Sequence, residues 1–197
     1  MRNIISFMHI SLDGFAAGPN GEMDWIHIDE EISDFIDERI TNSDTALYGR
    51  RTYQLMERYW PTAADQPAAT RHDIEHSKWY SNAHKLVLSK TLKDTQLNNT
   101  TIISDNISDR ISEIKQSGNC DILLFGSPSA THSLHQLNVI DGYWLFVNPV
   151  ILGQGVPLFA GIDKKVKLKP VSVTRQFSSG VTELNYTVNR KQQQTIK

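Results

Sequence analysis

The sequence predicts an α/β fold. Residues 1–190 read as one domain with a mostly parallel central sheet, helices on both faces and an antiparallel C-terminal hairpin, followed by a polar tail over 191–197. Three observations predict this. Short apolar runs suited to buried strands alternate with segments of helical spacing. Three of those runs end in small, hydroxylated or basic residues, as strands of an open sheet do beneath a ligand. The last two runs, 166–175 and 181–189, flank Ser178-Ser179-Gly180, which reads as a hairpin.

Residues 2–10 read as a central strand, since Ile4, Ile5, Phe7, Met8 and Ile10 are apolar on both faces. A loop with turn chemistry throughout follows: Ser11-Leu12-Asp13-Gly14, then Gly18-Pro19-Asn20-Gly21, ending at Met23-Asp24-Trp25. A loop of this length directly after a first strand is more often functional than filler. Trp25 at its end is either a core anchor, the reading favoured here, or a flat wall beside a planar ligand. Residues 29–41 read as a helix, with Ile32, Phe35, Ile36 and Ile40 on one face and acids in the first turn, where the dipole favours them. Arg39 stands beside that stripe, snorkelling or reaching a ligand.

Asn42-Ser43-Asp44 ends this helix, and Thr45-Ala46-Leu47-Tyr48 runs through Gly49 into a segment spaced by Tyr53 and Met56. Pro61, Ala63, Ala64, Pro67, Ala68 and Ala69 suggest a loop, after which 71–82 reads as a short helix carrying Ile74, Trp79 and Tyr80. Strands are expected over 85–89 and 100–104, then a helix over 107–116 closed by Gly118. A buried strand at 121–125, a helix at 129–137 and a strand at 143–147 follow. The Gly153-Gln154-Gly155 that comes next lacks the third glycine and the helix of a dinucleotide loop.

With 39% apolar and 21% charged residues the chain has the balance of a soluble globular protein, and its net charge of −2 gives no general attraction to nucleic acid or to an acidic membrane. Cys120 is the single cysteine, which excludes an internal disulfide and a Cys-rich metal centre. The first residues are apolar only briefly before Asp13 and lack a small-residue cleavage pattern, and no run of apolar residues is long enough to span a bilayer. A cytoplasmic protein is expected. His72 and His76 are spaced i, i+4, and His132 and His135 i, i+3; with no third ligand in reach of either pair, no metal is expected.

The functional signal lies in the turns. A strand that passes through Gly49 into a helix start leaves backbone N–H groups pointing outward, and the helix dipole favours an anion there. Arg50 and Arg51 add fork-shaped donors that suit a phosphate. Taken alone, the pair also reads as a solvated surface feature. The pattern recurs at Ser89-Lys90-Thr91 and at Gly126-Ser127-Pro128-Ser129-Ala130-Thr131, so all three turns are expected on one rim, around a phosphate-bearing cofactor.

Ser11-Leu12-Asp13-Gly14, Gly21 with Asp24-Trp25, Tyr48-Gly49-Arg50-Arg51-Thr52-Tyr53, Leu88-Ser89-Lys90-Thr91, Phe125-Gly126-Ser127 and the run 149–159 occur in an order that resembles the dihydrofolate reductase superfamily. Within it the chain is most similar to stand-alone proteins resembling the reductase domain of the bifunctional riboflavin-biosynthesis enzyme, over about residues 2–189. The resemblance implies that the first loop closes over a nicotinamide, with backbone at His9 and Ile10 holding the carboxamide and Trp25 along the cofactor. It implies Gly49, Arg50, Arg51 and Thr52 at the phosphates, Ser89 and Lys90 beside the adenosine, and Gly126, Ser127, Pro128, Ser129 and Thr131 around the pyrophosphate. Basic residues at two turns, with no acid for a free ribose hydroxyl, favour NADPH over NADH. Pairing as a homodimer, with the C-terminal hairpin as an edge, is also implied.

The expected activity is an NADPH-dependent reduction of a small planar heterocycle. The substrate would be like that of 5-amino-6-(5-phosphoribosylamino)uracil reductase or pterin-like, and the alternative is a regulatory nucleotide-binding module without turnover. Leu124 stands where the riboflavin-pathway reductases carry a Glu, and Ser127 where they carry a second glycine. Arg39 occupies the place of a substrate-phosphate arginine, and Glu31 is the nearest match to the acid on the first helix of dihydrofolate reductases, so the proton is expected from Glu31 or from solvent. Asp13 reads as a turn residue.

Overall fold

The structure is a computed structural model, and it describes residues 1–93, 98–162 and 164–190; the polar tail expected over 191–197 lies outside the described residues. The chain opens with β1 (Ile4–Ser11), β2 (Phe15–Ala17), α1 (Glu30–Ile40), β3 (Thr45–Gly49) and α2 (Arg50–Ala63). Then come α3 (Arg71–Asn82), β4 (His84–Leu88), β5 (Thr100–Ile103), α4 (Ile107–Gln116), β6 (Ile122–Phe125) and α5 (Pro128–Gln136). It closes with β7 (Gly142–Asn148), β8 (Val156–Pro157), β9 (Leu168–Pro170), β10 (Arg175–Gln176) and β11 (Thr182–Val188). The fold is α/β, with mostly parallel strands and antiparallel strands at its C-terminal end, as the sequence predicts.

The chain divides into two compact units, one of residues 1–2 and 28–127, the other of 3–27 and 128 onward. In the first unit four strands run parallel in the order β6-β3-β4-β5. Thr45 stands opposite both His84 and Ile122, and Leu88 opposite Ile103. The carboxyl ends of β3, β4 and β6 therefore come out along one rim. These strands read as continuous apolar runs because they are covered on both faces: Leu47, Tyr48, Leu86, Val87, Ile122 and Leu124 are all buried.

Helix α1 begins where its cap dictates. The Asp29 carboxylate accepts from the Ile32 N–H at 2.9 Å, Glu30 and Glu31 occupy the first turn, and Ile32, Ile36 and Ile40 are buried. Helix α3 starts at a reciprocal capping box between Thr70 and Asp73. Helix α2 differs from expectation, continuing through Trp60 and Pro61 to Ala63 where a loop was expected. Pro61 falls in the last turn, so its missing N–H removes one bond near an end that frays in any case.

In the second unit β1 and β7 are parallel, with His9 opposite Phe146, and β11 runs antiparallel to β7. Strands β9 and β10 both pair with β11, so the single strand expected over 166–175 is split. Pro170 ends β9, since it offers no donor to extend the ladder, and Val171 and Val173 beyond it are exposed. A ribbon of β2 and β8 was not expected either. Gly155 explains its close approach: a Cβ there would lie 2.2 Å from the Ala17 carbonyl oxygen. This gives the Gly-x-Gly run a packing role. The core of this unit includes Trp144, Leu145, Phe146, Leu134, Leu158, Phe177 and Val181.

Candidate functional site

On the rim of the first unit the turns after β3, β4 and β6 meet as the sequence predicts. Gly49 is the N-cap of α2 in extended conformation and supplies no side-chain cap, so the first N–H groups of that helix face outward. Arg50 and Arg51 are exposed there, and the Arg50 guanidinium reaches across to donate to the Thr91 hydroxyl of the neighbouring turn. That turn is held from within, because the Ser89 hydroxyl accepts from the N–H groups of Thr91 (3.2 Å) and Leu92 (2.9 Å). Lys90 is exposed beside it. On the other side Thr52 lies against Gly126: a Cβ built on this glycine would be 3.4 Å from the Thr52 methyl carbon. Gly126 (φ +54) and Ser127 (φ +57) are both left-handed, which turns their backbone out of the strand direction. Three cationic side chains and an uncapped helix start thus share one rim, an arrangement suited to phosphate.

In the second unit the expected residues stand as follows. His9 and Ile10 stand near the carboxyl end of β1, the Ile10 carbonyl accepting from Asn148 Nδ2 at 3.4 Å. The His9 ring stacks on Phe146 (centroids 5.0 Å apart), and both its nitrogens are buried with no hydrogen-bond partner among the described residues. Burial pushes its pKa down to about 4. Trp25 is partly buried outside the fully buried core, its indole N–H donating to the Glu22 carbonyl at 3.1 Å. Pro128 opens α5 and Ser129 is exposed, whereas Thr131 is buried with its hydroxyl 3.4 Å from that of Ser6. The Thr131 hydroxyl thus packs inward in the first turn of α5, and sequence does not tell which side of a short helix does so. Asp13 is more than a turn residue. Its carboxylate accepts from the Ser11 hydroxyl (2.7 Å) and from the N–H groups of Leu152 (3.1 Å) and Gly153 (2.7 Å), tying two loops together.

Glu31 is exposed in the first turn of α1, and Arg39 is half-exposed in its last turn. Leu124 is fully buried in β6, opposite Leu47. The His132 ring bonds the Leu158 carbonyl (2.7 Å) and His135 the Tyr143 hydroxyl (2.8 Å), so these two rings serve separate partners. His72 and His76 do not lack a third group: Asp37, a residue the sequence did not single out, brings its carboxylate to both. The periodicity that marked α1 counted only its apolar positions, and a lone acid among them carries no signal of what it meets.

Among the described residues no helix is long and apolar enough to cross a membrane. Comparison with known proteins gives a consistent picture. The chain is 35% identical over 192 residues, 95% of its own length and 96% of the relative's, to the uncharacterized protein YyaP of Bacillus subtilis strain 168. Among solved structures it is similar to a proposed riboflavin biosynthesis protein from Shewanella sp. PV-4, with a TM-score of 0.71 at 20% identity, covering 95% of this chain and 99% of that one. It is also similar to a dihydrofolate reductase from Enterococcus faecalis solved with NADP(H), with a TM-score of 0.62 at 16% identity, covering 95% and 96%. At such identities the structures establish a dihydrofolate-reductase-like fold. Residues 2–182 match the RibD C-terminal domain, and the chain belongs to that family.

Proposed function

We propose that this chain is an NADPH-dependent reductase acting on a small planar heterocycle, of the 5-amino-6-(5-phosphoribosylamino)uracil or pterin kind. The observation that carries the reading is the convergence of Arg50, Arg51 and Lys90 beside the uncapped start of α2. The residues fit the cofactor: outward N–H groups and fork-shaped donors match phosphate, and no carboxylate stands among these turn residues to repel it. Family membership and the reductases of the same fold support a reductase-like role.

Arg50 and Arg51 would hold the 2′-phosphate, with Thr52, Gly126 and Ser127 at the remaining phosphates and Ser89 and Lys90 beside the adenosine. Pro128 and Ser129, at the start of α5, belong to the same phosphate-binding turn. In the second unit the backbone of His9 and Ile10 would orient the nicotinamide, and Trp25 would lie along it. Bound there, the cofactor supplies a hydride. The chain's own share is to position the substrate and exclude water, with Arg39 at the substrate and Glu31 as proton donor. A full complement of acids is not needed for this, since positioning alone can lower such a barrier by several kcal/mol.

The test is cofactor titration. Replacing Arg50 and Arg51 together by Ala is expected to weaken NADPH binding by about 1.5–3 kcal/mol per lost charged contact, with little change for NADH. Equal losses for both would remove the 2′-phosphate assignment. One observation favours a second reading, a nucleotide-binding module without turnover: Leu124 puts a buried apolar side chain where related reductases carry a Glu. Tight NADPH binding with no oxidation against pterins, aminopyrimidines and quinones would select it.

A further inference from the structure

We propose that Asp37, His72 and His76 form a binding site for one divalent first-row transition ion of the zinc class. The three ligand atoms come from two helices of the first unit and lie within 4.8 Å of one another. His72 and His76, one helical turn apart on α3, both aim Nδ1 at the Asp37 carboxylate of α1. His72 Nδ1 is 2.7 Å from Asp37 Oδ2, a hydrogen bond, while His76 Nδ1 is 3.7 Å from Oδ1.

That second distance carries the argument. It is too long for a hydrogen bond, and it stands near the roughly 3.3 Å that separates two donor atoms bonded to one tetrahedral zinc. His76 is only 6% exposed, and its Nδ1 has no hydrogen-bond partner among the described residues. A buried imidazole nitrogen left unpaired is costly unless something binds it. The rest of the ring is fixed by aromatic neighbours: Trp60 at 3.9 Å, Trp79 at 5.2 Å and Phe125 at 6.3 Å between centroids. These walls hold the nitrogen on the Asp37 side. Asp37 itself is 5% exposed on a helix face otherwise packed with Ile32, Ile36 and Ile40, a position where an acid is kept only if its charge is matched.

The donor set selects the ion. Two imidazoles and one carboxylate suit zinc, cobalt or nickel; calcium and magnesium prefer oxygen alone, and the absence of thiolate or thioether ligands disfavours copper(I). Three protein ligands leave a fourth position, and the partly exposed His72 provides the way in. His72 also lines a cleft of about 380 Å³ with Asp29, Glu30, Asp34 and Arg71, whose summed charge favours an entering cation. Binding would replace the Asp37–His72 hydrogen bond, and the proton it uses would leave to solvent. Closing three atoms onto one ion draws separations of up to 4.8 Å in toward roughly 3.3 Å, a shift within reach of the His72 side chain.

The experiment uses the full chain after dialysis against a chelator. Titration with Co²⁺ is expected to give the visible absorption of a four-coordinate cobalt site, saturating at one equivalent and displaced by Zn²⁺. Zn²⁺ is also expected to raise the thermal midpoint. His72→Ala, chosen because His72 is the least buried of the three, should lower both affinities at least tenfold and abolish the midpoint shift. His84→Ala, at an exposed histidine on another element, should change nothing. Far-UV circular dichroism of each variant confirms that it is folded. Absence of cobalt absorption and of zinc heat in the folded wild-type chain would overturn the proposal. So would a folded His72→Ala chain that binds as tightly as wild type. Neither readout involves NADPH, so this outcome is independent of the reductase reading.

Discussion

The Thr52 side chain faces Gly126 across the rim of the first unit, the first on the opening turn of α2 and the second just after β6. A methyl group at Gly126 would sit 3.4 Å from the Thr52 Cγ2, tight enough that Thr52 must give a little, and φ at Gly126 is +54. Gly126→Ala should therefore lower stability by about 1–2 kcal/mol, mostly from backbone strain. Thr52→Ala would relieve the contact but not the strain, so the double variant should recover little.

The neighbouring position gives the opposite sign. Ser127 holds φ +57 without being glycine. Ser127→Gly should raise stability by about 0.5–1 kcal/mol, the left-handed penalty removed less the added freedom of the unfolded chain. Urea denaturation of the two single variants checks the pair. Losses of equal size at both positions would show that this turn is not left-handed in solution.

Arg2 anchors the start of the chain from inside the first unit. It is 5% exposed, and its guanidinium donates to the Cys120 carbonyl (2.7 Å), the Ser117 carbonyl (3.2 Å), the Thr45 hydroxyl (2.7 Å) and Asp44. Arg2→Met should cost about 3 kcal/mol, because it removes the donors of several part-buried acceptors at once. Arg2→Lys should recover only part, since one ammonium cannot span acceptors laid out for a planar fork. Asp44 is half-exposed, so Asp44→Asn should cost less than about 1 kcal/mol. Thermal midpoints of the three variants give the order.

Acid should loosen the loops that Asp13 joins. The Ser11 hydroxyl, then the Gly153 and Leu152 N–H groups, hold its carboxyl below the ordinary value. A carboxylate lowered on folding contributes stability that is fully present above its unfolded pKa and is lost as pH falls through the folded one. Exchange of the Leu152 and Gly153 amide hydrogens should thus speed up, beyond the intrinsic rate, below roughly pH 4. In Asp13→Asn the same amides should be less protected already at neutral pH. Equal protection in both proteins would mean that these bonds do not form.

How much of this was readable depends on whether a feature is local. The Ile32, Phe35, Ile36 and Ile40 stripe with acids in its first turn placed α1 to within a residue, and 107–116 and 71–82 were found as helices, because periodicity is written in nearby residues. The three turns were found because each strand ends in its own Gly, Ser or Lys. The β2–β8 ribbon was not, since strands of two or three residues have no period to detect. Nor was the meeting of Asp37 with His72 and His76, which depends on how α1 packs against α3, a tertiary fact about residues 35 apart. Continuation of α2 past Trp60 was hidden by Pro61, Pro67 and four nearby alanines, a stretch that read as a loop.

His9 gives a prediction with a definite pH window. Its ring lies on Phe146 with Phe7 edge-on at 5.9 Å, and neither nitrogen has a partner. Burial lowers its pKa from 6.5 to about 4, so in the folded chain the ring is neutral where an unfolded histidine would already be protonated. Between these two values the unfolded state binds the extra proton, and stability falls as pH is lowered from about 6.5 to 4, by roughly 3 kcal/mol at most. His9→Phe removes both the titration and two unpaired polar atoms while keeping a flat ring against Phe146. It should be at least as stable as the parent at pH 7, and its advantage should grow steadily through this window. Denaturant midpoints at pH 7.5, 6 and 5 measure it. A constant difference between the two proteins over that range would show that the ring takes up its proton in the folded state as readily as in the unfolded one.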